Sequence, residues 1–459
     1  MSFWDVVERA DKGPRIDERE FDMRIFKTAT ALAKEYDIEY DPENLVPADN
    51  QLADDVWEAG LRAAAEIGVY CTSTRRNIMF TEDEIVEFLR AARGEVTLGE
   101  GRDAVKEVHR DVEDGRKPVV AAGIQTVLFS SEEMAFRVYK LCAQEPDTDG
   151  IWQGLEARVE GRYDVRANHP TEVYQYRRDV EIMRRATAAA GRPGMFIYAN
   201  APTAAATIGM CDPNVGIRPC DPMATGLIAE LKVGYDELNR VAFAIAYGSP
   251  RGAAHTAVIG GFSGGPDTAP IIAVAGGLLG MLVTQSERAG PGYVHNRIRS
   301  RACRTCIWTG SLANQAFARN SRVPAGASGC DHPAAGPGTE QYFYEAGAGF
   351  VAAVASGAAS LHGGTRKFVI GKTEDFGTPL ESRWMGEVCK GSAGISRERA
   401  NEIVMALLPR YEGRLERNVP FGYTFGELYD VEGEEPKPEY LELYEGVKEE
   451  FEGFGLRFR

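Results

Sequence analysis

The stretch KPVVAAG at residues 117–123 decides the fold, because the pattern of the chain changes there. From this point on, short apolar runs alternate with helical stretches. GIWQG at 150–154 and GMFIY at 194–198 are the next two runs, and helices are predicted from Ser130 onward and over 171–190. Short apolar runs bounded by glycine or proline are typical of buried parallel strands. The pattern therefore predicts successive strand–helix units.

The alternation continues to residue 370. Further strands are predicted at 241–248 (where a helix is the alternative), 255–262, 293–298, 328–332 and 367–370, and further helices at 223–232, 305–317 and 339–361. Eight strands alternating with helices predict an α/β fold, namely a single parallel (β/α)8 TIM barrel. A doubly wound open sheet is the alternative. The glycines at 260–265 match neither the dinucleotide-binding fingerprint nor a P-loop, which would support such a sheet.

The N-terminal quarter has a different pattern. Residues 1–110 are predicted to form a helical extension packed on the barrel, and residues 111–459 the barrel with C-terminal helices. Between residues 21 and 36, apolar side chains recur at three- and four-residue steps, as on one face of a helix. A second helix is predicted over 51–67, and a capping box at 81–84 begins a third.

The composition excludes several classes of protein. The 459 residues include 68 acidic and 52 basic side chains, for a net charge of −16. This balance argues against a nucleic-acid partner, whose phosphates require dense Lys and Arg. Eight cysteines are too few for a disulfide scaffold. The first residues lack the basic and apolar regions of a signal peptide, so a cytoplasmic protein with reduced thiols is expected.

One segment has the length of a membrane span. Residues 268–286 carry no charge over 19 positions. The segment contains Pro270 and three glycines, and neither a basic flank nor a second such segment accompanies it. It is therefore predicted to be a buried helix, and no membrane contact is expected.

Reactive side chains are few at the predicted strand ends, where a (β/α)8 barrel carries its chemistry. Tyr198 ends the third strand and His255 opens the fifth. Cys330, Asp331 and His332 end the seventh. Cys330 and His332 share a face if this run is a strand, and with His255 they form a candidate zinc site. The alternative is a loop that Asp331 turns and whose histidine is exposed.

A Cys-x-x-Cys motif lies at Cys303-Arg304-Thr305-Cys306. Such a motif is redox-active or binds metal in many proteins. The chain has no second copy that would complete a four-cysteine zinc site. Because the motif follows a predicted strand and enters a helix, two half-buried small residues are the simpler interpretation.

Nine short motifs, several of them in loops, follow one another from the N-terminal region to the end of the chain. They are GVYCT (68–72), FTEDEI (80–85), LGEGRDAV (98–105), AGRPGM (190–195), GGFSGG (260–265), AGPGTE (335–340), MGEV (385–388), SAG (392–394) and YDV (429–431). In this order, and from about residue 20 to Leu456, the chain resembles the monomethylamine:corrinoid methyltransferase family. Packing alone does not dictate the sequence of a loop, so the motifs that lie in loops are strong support for the resemblance.

The resemblance implies a (β/α)8 barrel, a homo-oligomer, and methyl transfer to the cobalt of a corrinoid. A separate small protein carries that corrinoid and docks over the barrel mouth. The defining residue of the family is pyrrolysine, an electrophilic imine that captures and orients the amine. Counted from AGRPGM at 190–195, the pyrrolysine position falls on Tyr198, or on Ala199 if the count is shifted by one residue, and neither side chain is an electrophile.

Other pocket positions also depart from the family pattern. The two family glutamates that serve the pyrrolysine fall on Ala224 and Ala254, and the family's Asn-Gln-Tyr-Tyr becomes Gly-Cys-Asp-His at 329–332. We therefore expect Ala224, Ala254, Cys330 and Asp331 in the substrate pocket. Changes confined to the pocket, on a scaffold that is kept, favour a different substrate.

These observations predict a pyrrolysine-independent, corrinoid-dependent methyltransferase. It would move a methyl group from a small methylated compound, of methylamine type or a quaternary amine, to the Co(I) of a corrinoid protein. His332 and His255 are the candidate proton donors for a leaving amine, and the ring of Tyr198 is a candidate binding face for a cation. A zinc ion on Cys330 and a histidine is a candidate Lewis acid. The alternatives are a zinc-assisted barrel enzyme of other chemistry and a non-catalytic homologue that docks a corrinoid protein.

Overall fold

The structure is a computed structural model that describes residues 1–123, 127–156, 158–327, 329, 332–363 and 373–458. Its central feature within these ranges is a set of eight parallel strands. In chain order they are β1 (Val119–Gly123), β2 (Gly150–Trp152), β3 (Phe196–Tyr198), β4 (Met223–Gly226), β5 (Arg251–Ile259), β6 (Pro291–His295), β7 (Gly326–Ala327) and β8 (Ser360–His362).

These strands form two parallel sheets. One sheet has the order β3-β2-β1-β8-β7, and the other has the order β4-β5-β6. Two isolated parallel bridges link the sheets. Ala199, directly after β3, pairs with Met223 of β4, and Ala289, just before β6, pairs with Ala325, just before β7. The predicted α/β class is therefore confirmed.

Helices separate the strands along the chain. The α-helices span Phe3–Lys12, Glu18–Glu35, Asn50–Ile67, Glu82–Ala91, Glu132–Gln144, Pro170–Ala189, Ala204–Met210, Tyr235–Tyr247, Ala269–Thr284, Arg304–Asn320, Glu340–Ala355, Pro379–Gly391, Arg397–Tyr411, Phe425–Leu428 and Pro438–Gly453. Two short 3-10 helices lie at Gly101–Asp103 and Glu412–Arg414.

Two neighbouring predictions were wrong in type. The predicted helix at 223–232 begins instead with β4, and the predicted strand at 241–248 is part of the helix Tyr235–Tyr247. That helix buries Leu238, Val241 and Ala244 at three-residue steps, which is a helical period. The alternative kept for 241–248 is therefore the correct one.

The last two strands also differ from the prediction. The seventh strand, β7, ends directly before residues 328–332, which were predicted to form it. The predicted eighth strand at 367–370 lies outside the described residues. The helix predicted over 339–361 ends at Ala355, because the chain turns at Gly357 with a φ of +91°. Residues 360–362 then form β8.

The N-terminal region is only partly helical. Its predicted helices are present, and the capping box at Thr81 and Glu84 is confirmed. Two antiparallel hairpins were not predicted: one pairs Val69–Cys71 with Arg76–Ile78, and the other pairs Glu95–Leu98 with Val105–Val108. The second hairpin packs Leu98 against the start of the parallel strands, in a buried cluster with Val119 and Phe196.

The remaining strands are short. They are Leu128–Phe129, Leu155–Glu156, Arg158–Val159, Tyr163–Asp164, Lys232–Val233, Tyr429–Asp430 and Glu435–Pro436.

The uncharged segment forms the helix Ala269–Thr284, and all of its residues are buried. It packs against β5, where its glycines allow close approach. A Cβ atom at Gly276 would lie 1.9 Å from Nδ1 of His255. The predicted buried helix is thus confirmed. Within the described ranges, no helix combines the length and the apolar character required to cross a membrane.

Candidate active site

A cavity of about 370 Å³ lies among the parallel strands. Seven of the eight parallel strands, all but β1, contribute to its wall. The second N-terminal hairpin and several loops contribute the other residues. The side chains that bear on chemistry are Glu107, Trp152, Tyr198, Asn200, Ala224, Ala254, Arg288, Arg301, His332, Ser360 and His362.

One side of the cavity is built on a buried ion pair. Arg288 donates from Nη1 to Glu107 over 2.6 Å and from Nη2 to the Tyr198 hydroxyl over 2.8 Å. Ser360 donates to the other Glu107 oxygen over 2.7 Å. The side chains of Glu107 and Arg288 are 0% and 4% exposed, so both charges are compensated inside the protein. This network fixes the hydroxyl of Tyr198 as a hydrogen-bond acceptor.

Three rings stack beside this network. Trp152 and Tyr198 are stacked with centroids 4.0 Å apart, and Trp152 and His362 are stacked at 4.8 Å. Trp152 ends β2, Tyr198 ends β3 and His362 ends β8, so strand ends bring the rings together. Burial raises the pKa of the Tyr198 phenol, against the lowering effect of Arg288.

This arrangement bears on the predicted cation-binding role of Tyr198. The guanidinium carbon of Arg288 already lies 5.1 Å from the centroid of the Tyr198 ring, and Trp152 stacks on the ring. The ring is thus already engaged by one cation and by a stacked aromatic side chain, which leaves less of it free for a substrate cation. The geometry therefore favours Tyr198 as a wall of the cavity.

His332 lies in the cavity wall and is 6% exposed. Its carbonyl oxygen accepts a hydrogen bond of 3.1 Å from the backbone N–H of Arg301. Arg301 also lines the cavity, and its guanidinium lies 5.7 Å from the centroid of the Tyr293 ring. The alternative of an exposed histidine in a loop is therefore wrong for His332.

His255 is placed differently from its predicted role. The residue contributes to the cavity wall, but its ring packs against Gly276, between β5 and the helix Ala269–Thr284. Both ring nitrogens are buried, and neither has a hydrogen-bond partner among the residues that the structure describes. Burial lowers the pKa of His255 to about 3. The ring is therefore neutral at physiological pH, and we do not assign it a proton-donor role.

The other predicted pocket positions divide into two groups. Ala224 and Ala254 line the cavity. Cys330 and Asp331 lie outside the described residues. In the part of the chain that the structure describes, no group of three or more His, Cys, Asp or Glu side chains is arranged to hold a metal ion. Zinc on Cys330, His332 and His255 thus stays a prediction, and the placement of the His255 ring does not support it.

Seven of the eleven cavity side chains named above were not predicted from the sequence, and four of these seven form the ion pair and the ring stack. Glu107 lies in the unexpected hairpin, Arg288 in an isolated bridge to Gly252 before β6, and His362 directly after the stretch predicted as helix. Trp152 was part of a predicted strand but carried no functional assignment. A histidine followed by two glycines at 362–364 is a strand-end signal that points to His362.

Comparison with known proteins identifies the family. The family model described as monomethylamine methyltransferase MtmB matches residues 1–456. The monomethylamine methyltransferase MtmB2 of Methanosarcina acetivorans is 32% identical over 460 residues, which cover 99% of this chain and 98% of the relative. The corresponding enzyme MtmB of Methanosarcina mazei is 31% identical over the same share of each chain.

The solved structures agree with this result. The crystal structure of MtmB of Methanosarcina barkeri matches with a TM-score of 0.92 and 29% identity, covering 99% of this chain and 98% of that one. A crystal structure of a hydroxylamine complex of MtmB matches equally well. The chain is therefore a methyltransferase that belongs to the monomethylamine methyltransferase MtmB family.

Proposed function

We propose that this protein moves a methyl group from a small methylated compound to the Co(I) of a corrinoid bound to a separate protein, and that it does so without pyrrolysine. The observation that carries the proposal is the cavity beside Tyr198. The family scaffold is kept over nearly the whole chain, while Tyr198, held by Arg288, stands where the resemblance puts pyrrolysine.

The proposal includes a closed (β/α)8 barrel. The two parallel bridges between the sheets support it, since they would join β3 to β4 and β6 to β7. In such a barrel the strand ends that carry Trp152, Tyr198 and His362 face a common opening. A corrinoid protein would present its cobalt at this opening.

The reaction is a displacement at the methyl carbon. The nucleophile is Co(I), and the enzyme must improve the leaving group, which for a secondary or tertiary amine requires a proton. We assign His332 as the proton donor, because it is an imidazole in the cavity wall near Arg301. Ala224 and Ala254 leave space for the substrate that larger side chains would fill.

The geometry favours a methylamine-type donor over a quaternary amine. A quaternary ammonium needs no proton but requires an open cation-binding face, and Arg288 lies over the Tyr198 ring. A neutral amine does not require such a face, and the proton that its departure needs gives His332 a function.

The test is methylation of a Co(I) corrinoid protein by the purified enzyme. The donor panel contains mono-, di- and trimethylamine, tetramethylammonium, a betaine, methanol and methanethiol. We expect methyl-cobalt formation, followed by its absorbance, with one of the protonatable amines. Turnover of tetramethylammonium alone would contradict the assignment of the leaving group. No turnover with any donor, and no binding of any corrinoid protein tried, would refute the function.

His332 can be tested by substitution once a donor is found. We expect His332→Ala to lower kcat by about 10²- to 10⁴-fold, the usual effect of losing a general acid. His295→Ala is the matched control, because His295 ends β6 but lines a different cavity. Full activity of His332→Ala, together with loss of activity in His362→Ala, would move the role to His362.

Three further predictions from the sequence stand beside this proposal. They are zinc as a Lewis acid, a homo-oligomeric state and a cytoplasmic location. Metal analysis of the purified protein and its mass in solution test the first two directly.

A further inference from the structure

The Cys-x-x-Cys motif begins a long helix. Cys303 is the N-cap residue of Arg304–Asn320, and Cys306 lies in the first turn. The backbone N–H of Cys306 donates to the carbonyl of Cys303 over 3.0 Å, which closes the turn and brings the two side chains to the same end of the helix. The two thiols contact each other there.

Both cysteines are buried, with Cys303 3% and Cys306 0% exposed, but they differ in their position relative to a cavity. Cys303 lines a second cavity, of about 430 Å³, together with Tyr40, His295 and Glu412. Cys306 does not line this cavity and is fully buried behind Cys303. This asymmetry is typical of Cys-x-x-Cys redox pairs, in which the first thiol attacks and the second one resolves the mixed disulfide.

The electrostatic surroundings distinguish Cys303 from other cysteines of the chain. The hydrogen bond with Cys306 lowers the pKa of the Cys303 thiol, against the effect of burial. Burial raises the pKa of the thiols of Cys211 and Cys220, although both are more exposed than Cys303. A lower pKa gives more thiolate, which is the nucleophilic form.

We propose that Cys303 and Cys306 form a redox-active dithiol that exchanges with disulfides. The sulfur of Cys303 attacks one sulfur of a disulfide R–S–S–R, and the S–S bond breaks to release one thiol R–SH. The thiol of Cys306 then loses its proton and attacks the sulfur of Cys303, which releases the second R–SH. The pair is oxidised by two electrons, and the disulfide is reduced to two thiols.

The first test measures reactivity in the folded, full-length protein. Limited alkylation with iodoacetamide at pH 7 is followed by peptide mass analysis. We expect Cys303 to be modified at least about tenfold faster than Cys220, because thiolate content rather than exposure limits the rate. A rate at Cys303 equal to or below that at Cys220 would refute the proposal.

The second test follows exchange with oxidised glutathione. Trypsin cleaves after Arg304, so a Cys303–Cys306 disulfide links two peptides that reduction separates. We expect this linked pair in the wild type, one glutathione on Cys303 in Cys306→Ser, and no adduct at the motif in Cys303→Ser. Circular dichroism confirms that each variant is folded. Failure to form the linked pair in the wild type, or the adduct in Cys306→Ser, would overturn the assignment, whether or not methyl transfer is observed.

Discussion

The contacts of Tyr198 show how neighbouring residues limit the chemistry of one side chain. Its hydroxyl accepts from Arg288, its ring stacks on Trp152, and burial raises the pKa of its phenol. A phenol with these contacts is poorly suited to donate a proton to a leaving group. We propose instead that it shapes the cavity and holds the guanidinium of Arg288 in place.

We expect Tyr198→Phe to retain most of its activity. The ring remains, so kcat should fall by less than about tenfold, whereas loss of a general acid costs about 10²- to 10⁴-fold. The measurement is the initial rate of methyl-cobalt formation with the donor found for the wild type. Tyr198→Ala serves as the comparison, because it removes the ring as well and should impair substrate binding. A loss beyond 10²-fold in Tyr198→Phe would show that the hydroxyl takes part in proton transfer.

The ion pair between Glu107 and Arg288 is expected to matter for stability. Removing one partner leaves an uncompensated buried charge, which costs about 3–5 kcal/mol. We therefore expect Glu107→Gln and Arg288→Met each to lower the midpoint of urea unfolding strongly. The double variant should recover part of the loss, since no unpaired charge remains. Additive losses in the double variant would contradict a direct coupling of the two side chains.

The residues of this network could not be found from local sequence patterns. Glu107 and Arg288 are 181 positions apart, and Glu107 and Ser360 are 253 apart. Periodicity reports which face of an element is buried, but not which distant element covers it. Tyr198 could be predicted because it ends an apolar run that reads as a strand, whereas Ala224 could be predicted only by counting from flanking motifs of a known family.

At the scale of elements, the packing of β5 on the helix Ala269–Thr284 decides where His255 points. Along β5, Ala253 and His255 face the helix at Gly280 and Gly276, while Gly252 faces Tyr198 and Arg288. Because successive side chains of a strand point to opposite faces, the imidazole of His255 lies on the face of β5 that the helix covers. The sequence alone could place His255 on a strand, but it could not show which face of the strand the imidazole occupies.

Gly276→Ala tests this packing. The added methyl would meet the imidazole of His255, so we expect a loss of about 1–3 kcal/mol in unfolding free energy from overpacking. The double variant Gly276→Ala/His255→Ala should recover most of the stability lost by Gly276→Ala, because the smaller side chain makes room for the methyl. The measurement is urea unfolding of both variants and of His255→Ala alone. An equal effect of Gly276→Ala with and without His255 would contradict the contact.

The types of several elements were ambiguous for a physical reason. Short apolar runs suit both a buried strand and a buried helix, and periodicity needs several turns to separate the two. The run at 241–248 does not include Leu238, which completes the buried face of the helix. The uncharged helix could be predicted because a run of 19 uncharged residues exceeds the length of ordinary strands.

At the scale of the whole molecule, a buried carboxylate ties the C-terminal helices to the loop of the AGPGTE motif. Glu381 is fully buried, and it accepts hydrogen bonds from the hydroxyls of Tyr440 and Thr378 and from the backbone N–H of Gly338. Tyr440 lies in the helix Pro438–Gly453 and Gly338 in the loop before Glu340–Ala355. One side chain therefore joins three distant parts of the chain.

This carboxylate should make stability depend on pH. Burial raises the pKa of Glu381 from 4.5 to about 7. Between these values the unfolded chain has released the proton and the folded protein still holds it. Its contribution to stability is therefore present at acidic pH and is lost as pH rises from 4.5 to about 7, at up to about 1.4 kcal/mol per pH unit.

Glu381→Gln removes this titration, so we expect its unfolding free energy to fall less steeply than that of the wild type between pH 5 and pH 7. The measurement is urea unfolding at half-unit steps of pH. The variant with Glu416→Gln at an exposed position is the control and should follow the wild-type slope. Because other buried carboxyls are present in all three proteins, the difference in slope isolates Glu381. Parallel curves for the wild type and Glu381→Gln would mean that the carboxyl is already ionised in the folded protein, and that the three parts of the chain are joined around a charge.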